Sequence, residues 1–158
     1  MIAKNSAAAL VALVASVAAH AQSSTVTVYG NIDASVGSFE DDLSHRITKV
    51  ESGVLNGSFL GFKGQEDLGS GLKAFFKLES TLAVDTGAVA SNFWSRTSEI
   101  GLAGSFGTVT VGNSLSLVGR TNHAQSPFSV FGRLNGVQTV ASAAGFGATQ
   151  INSLTYVS

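Results

Sequence analysis

From residue 23 onward, apolar and polar positions alternate with a period of two. This is the signature of strands with one apolar and one polar face. In 23–36, Val26, Val28, Ile32 and Ala34 share a face with Gly30. Thr25, Thr27, Tyr29, Asn31, Asp33 and Ser35 take the other. In 58–65, Leu60 and Phe62 oppose Phe59, Gly61, Lys63 and Gln65. In 71–82, Leu72, Ala74, Phe76 and Leu78 lie on one side and Lys73, Phe75, Lys77 and Glu79 on the other. Further strands are predicted over 93–105, over 108–114 and from about Thr149.

The connections alternate in length. A polar loop spans 37–56, a tight turn 66–71, a loop 83–92 and a short turn near Phe106-Gly107. A long stretch, 115–147, precedes the sixth strand. Long loops at one end and short turns at the other fit an outer-membrane barrel, which presents lipid outside and water inside. A spanning strand needs about 9–11 residues, and these runs reach it. A secreted sandwich remains the competing reading of the pattern, since it too alternates its faces.

Composition narrows this. The chain has 158 residues, 18 Gly, 1 Pro and no Cys, with 12% charged residues and a formal net charge of -1. No disulfide framework or cysteine metal site is possible. The charge balance argues against a nucleic-acid partner. No cofactor or metal is expected, and no catalytic constellation. His45 and His123 fall in predicted loops without a positioned nucleophile, so hydrolase chemistry has no motif here. At the N-terminus a cationic start, the apolar run 7–19 and Ala19-His20-Ala21 read as a secretory signal peptide over 1–21. The mature region is then 22–158.

The stretch SFLGFKGQEDLGSGLKAFFKLES (58–80) resembles the hallmark of the Gram-negative general porins of the neisserial and burkholderial type. VTVYGNIDASVG (25–36), SRTSEIGLAGSFGTVTVGN (95–113) and INSLTYVS (151–158) agree with it. The resemblance implies an all-β transmembrane antiparallel barrel of about sixteen strands. It implies a homotrimer set among outer-membrane lipid and lipopolysaccharide, passing small hydrophilic solutes and ions. The six strands counted here correspond to the N-terminal part of such a barrel, an open curved sheet.

The resemblance also implies a third long loop folded inward, here within 115–147, facing a ladder of basic wall residues. The strand-two arginine of the family falls at Phe59 and is missing, with Lys63 a cation nearby. The strand-four arginine is retained as Arg96, and the strand-six arginine falls near Thr149 and is lost. Pore-lining positions are thus expected at Lys63, Arg96, Lys73, Lys77, Glu79 and Asp33, with Arg120 and Arg133 in the loop. No acid follows Glu99, so the expected preference is for anions. The acids Glu40, Asp41 and Asp42 of the first loop sit at the rim. His123 reads as an ordinary loop histidine. Strict alternation carries a conflict: Arg96 facing inward would turn Glu99 toward lipid, so the orientation of these two is left open.

Overall fold

The computed structural model describes residues 25–40, 45–125 and 143–158. Eight strands follow one another among these: β1 (Thr25–Asn31), β2 (Ala34–Glu40), β3 (Arg46–Ser52), β4 (Phe59–Gly69), β5 (Leu72–Thr81), β6 (Thr97–Gly104), β7 (Gly107–Leu115) and β8 (Thr149–Val157). A short helix, α1 (Leu117–Gln125), follows β7. Six strands form one antiparallel sheet in the order β1-β4-β5-β6-β7-β8, and β2 pairs with β3 in a separate two-stranded sheet.

The sheet sorts its connections by end. β4 and β5 meet through Ser70 and Gly71, with φ of 55° and 78°. Positive φ at both central residues belongs to the two-residue turn whose twist matches that of paired strands. Asp67 supports this turn by accepting the Gly69 N–H at 2.9 Å, with a register shift between Asp67 and Gly69. β6 and β7 close through Ser105 and Phe106 at the same end. The three long connections, β1 to β4, β5 to β6 and β7 to β8, all leave from the other end.

Register assigns the faces, because directly paired residues share one. One row runs Thr27, Lys63, Lys77, Glu99, Gly112 across β1, β4, β5, β6 and β7. The next toward the loops runs Tyr29, Gly61, Glu79, Thr97. The opposite face carries Val26, Val28, Leu60, Phe62, Phe76, Leu78, Ile100, Leu102, Val109, Val111, Leu154 and Tyr156 in the same registers. Much of this apolar face is open, with Val28 63% and Leu154 72% exposed. Aromatic rings stand at both of its ends. Trp94 meets Phe62 and Phe93 edge-on at the loop end. Tyr156 donates its hydroxyl to the Phe106 carbonyl at the turn end, at 2.6 Å.

Three expectations need correction. The first predicted strand breaks at Ile32 and Asp33, and the polar loop expected over 37–56 is mostly taken up by the β2–β3 hairpin. Its register pairs Val36 with Val50 and Phe39 with Ile47, and Lys49 bridges Glu51 at 2.5 Å. These β-branched and aromatic pairs favour a ladder, but polar residues between them mask the signal. The predicted fourth strand begins at Thr97 rather than at 93.

Candidate functional site

The charged side chains gather on the polar face near the loop end. β5 presents Lys77 and Glu79 two residues apart, so both point to that face. Glu79 is held from two sides. The Tyr29 hydroxyl donates to its Oε1 at 2.5 Å, and Arg96 Nε lies 3.4 Å from its Oε2. The Arg96 guanidinium lies 4.3 Å from the Phe59 ring centroid, and that ring meets Tyr29 edge-on at 5.6 Å. Arg96 and Glu79 are 6% and 8% exposed. Such a buried pair is tolerable only because hydrogen bonds and a ring face replace lost water.

One row toward the turns, Lys77 Nζ sits 3.3 Å from Glu99 Oε1. Ser114 donates its hydroxyl to Glu99 Oε2 at 2.6 Å. Lys63 stands directly opposite Lys77, its Nζ 4.8 Å from the Tyr29 ring centroid.

The conflict between Arg96 and Glu99 resolves through a bend. Arg96 precedes β6, and its backbone N–H donates to the Glu79 carbonyl at 3.1 Å. Thr97 is already the register partner of Glu79. Two consecutive residues therefore answer to one position on β5, and alternation restarts at Thr97. Arg96 and Glu99 both reach the polar face, and Ile100 and Leu102 point away.

Asp33 departs from its expected place on the strand wall. It sits at the break between β1 and β2, where its carboxylate accepts the Leu55 and Asn56 N–H groups at 3.1 and 2.6 Å. Its own N–H donates to Ser58 Oγ at 2.8 Å, and its carbonyl accepts Gly53 N–H at 3.0 Å. Asp33 pins the base of the β2–β3 hairpin. Lys73 lies near the turn end, in register with Asp67 and Ala103.

α1 folds toward the charged cluster. Ser116 caps it by accepting the Gly119 N–H at 3.0 Å, and ties it to the β8 side by donating to the Gly147 carbonyl at 2.7 Å. A Cβ on Gly119 would come within 2.2 Å of the Ala148 carbonyl oxygen, so only glycine admits this approach. Arg120 donates Nε to the Leu115 carbonyl at 3.1 Å. His123, one turn on, lines a cavity of about 310 Å³ with Asn31, Phe59, Lys77, Glu79 and Arg96. Arg133, Asp41, Asp42 and the leader 1–21 lie outside the described residues.

Sequence reasoning missed Tyr29 and Ser114 as partners of the acids. The signal for Tyr29 was present, since it shares the polar face with Asn31 two residues away. That for Ser114 required the β6–β7 register.

The profile of the Gram-negative porin family matches residues 6–158. The major outer membrane protein P.IA of Neisseria meningitidis serogroup C is 36% identical over 135 residues, covering 75% of this chain and 35% of that protein. The P.IB protein of Neisseria lactamica is 38% identical over 118 residues, covering 71% and 34%. Among solved structures, an anion-selective porin from Comamonas acidovorans superposes with a TM-score of 0.62 at 35% identity, covering 70% of this chain and 33% of its own. The chain thus spans about a third of the length of these relatives.

Proposed function

The chain belongs to the Gram-negative porin family, and on that premise we propose that its sheet is part of the wall of an outer-membrane diffusion channel for small hydrophilic solutes and ions, with anions preferred. The observation that carries this is the sorting of charge. Lys63, Lys73, Lys77, Glu79, Arg96 and Glu99 all reach one face of the sheet, and the facing side is a broad exposed apolar surface. Lipid against the apolar face and water against the charged face satisfies both. The aromatic rings at the two ends of the apolar face match interfacial girdles.

Among the described residues β1 and β8 each keep one edge without a partner strand, and this fits the same reading. Unpaired backbone groups are not stable in hydrocarbon, so the working wall is closed by further strands. A homotrimer in contact with outer-membrane lipid and lipopolysaccharide is part of the proposal. So are export by the 1–21 leader and narrowing of the channel by the segment within 115–147. The placement of His123 of α1 beside Glu79 and Arg96 supports that narrowing.

Anion preference is supported by the cation excess near the charged cluster, by the absence of acids after Glu99, and by similarity to an anion-selective porin. The test is a planar bilayer holding the full-length protein across a KCl gradient. The expected reversal potential has the sign of chloride permeation. Replacing both Arg120 and Arg133 with Gln should lower that preference. A cation-selective parent, or a double variant with unchanged selectivity, would defeat the assignment.

A further inference from the structure

We propose that Lys63, rather than Arg96 or Lys77, is the specificity-determining residue of the described wall for small permeating anions. This deepens the channel reading and rests on it. In the two central rows of the polar face the other cations are held in ion pairs. Arg96 lies against Glu79 at 3.4 Å and beneath it the Phe59 ring covers one guanidinium face. Lys77 lies against Glu99 at 3.3 Å. Lys73 stands in register with Asp67 at the turn end. A close pair of opposite charges acts on a passing ion as a dipole, whose field decays faster with distance than that of a single charge.

Lys63 lacks such a partner. Among the described residues no carboxylate forms an ion pair with it, and its contact is the face of the Tyr29 ring. Register sets it directly opposite Lys77, a like-charge pairing that ordinarily destabilises a sheet. The arrangement is relieved without neutralising Lys63. Glu99 pairs with Lys77 from the far side, and the Tyr29 ring receives the Lys63 ammonium. Tyr29 is itself fixed by its hydrogen bond to Glu79, which makes it a positioning residue for Lys63. Of the cations in the two central rows of the sheet, Lys63 is therefore the one held in no ion pair among the described residues, and it is exposed on the polar face.

The experiment uses the full-length protein and charge-balanced variants. Lys63→Gln should lower the chloride-to-potassium permeability ratio by about twofold or more, and Lys63→Arg should retain the parent value. The doubles Arg96→Gln with Glu79→Gln, and Lys77→Gln with Glu99→Gln, remove no net charge and should move the ratio less than Lys63→Gln does. A Lys63→Gln pore with the parent ratio would overturn the proposal. So would an Arg96/Glu79 double that shifts the ratio as far as Lys63→Gln does.

A second measurement does not depend on current. A water-soluble amine-reactive ester, followed by peptide mass mapping, should modify Lys63 faster than Lys77 in the folded protein. Glu99→Gln should raise the Lys77 rate toward that of Lys63. Equal parent rates would overturn the assignment. A preparation that labels as expected but conducts no current defeats the channel reading and leaves the charge assignment standing.

Discussion

At the loop end of the polar face, Glu79 and Arg96 are buried, and Tyr29 and Phe59 close around them. At the turn end, Lys73 of β5 and Asp67 of β4 face each other and both are exposed. The residue types are alike and the energetics are not. Water screens the exposed pair, so its attraction contributes little. The buried pair has lost that water, so each charge depends on its partner, and removing one strands the other. A charge on this wall therefore acts mainly on the fold where it is buried and mainly on passing solute where it is open.

Substitutions along this face should separate the two ends. The largest expected effect is Glu79→Ala, which leaves Arg96 buried without its acid. A loss of about 3–5 kcal/mol is expected, measured by urea unfolding in detergent micelles with the fluorescence of Trp94, the one tryptophan of these 158 residues. A loss below that of Tyr29→Phe would contradict the pairing. Tyr29→Phe removes one hydrogen bond to a charged acceptor and keeps the ring beneath Lys63. It should cost about 2 kcal/mol in the same assay.

At the turn end, Gly71→Ala forces a side chain onto a backbone with φ of 78°, and about 1 kcal/mol is expected. Nothing lies within 4 Å of the added Cβ, so the cost should be conformational and should spare the conductance. Lys73→Gln should change stability by less than about 0.5 kcal/mol. An effect of Lys73→Gln comparable with that of Glu79→Ala would erase the distinction between the two ends.

Alternation alone made β4, β5 and β7 legible, with the faces of Leu60, Phe62, Phe76 and Leu78 against Lys63, Lys73, Lys77 and Glu79. Those strands are long, and their two faces differ strongly in polarity. Periodicity failed where the chain leaves it. Arg96 sits on a bend that doubles its position against Glu79, and a two-residue period carries no mark of that. The role of Asp33 depends on hydrogen bonds to Leu55 and Asn56, more than twenty residues away. The β2–β3 hairpin is short, and its apolar pairs are diluted by Ser, Gly, Thr and Lys. α1 was hidden in an expected loop. Gly119 and a mostly polar composition gave it no apolar stripe. The family resemblance located Arg96 and Lys63 together. Which of their charges is neutralised became readable only with the register in hand.

The Ser70-Gly71 turn bears on how such a sheet comes into being. β4 and β5 are joined by two residues, so every contact between them is local in sequence. Isolated hairpins of this kind close in roughly 1–10 μs. β1 can meet β4 only after the whole β2–β3 excursion has been accommodated between them, and β8 reaches β7 only after the 117–148 segment has found its place. Rates fall as contacts become less local. The β4–β5 hairpin, like β6–β7 with its Ser105-Phe106 link, is thus among the most local units of the sheet, able to form ahead of its neighbours and offer them two ready edges.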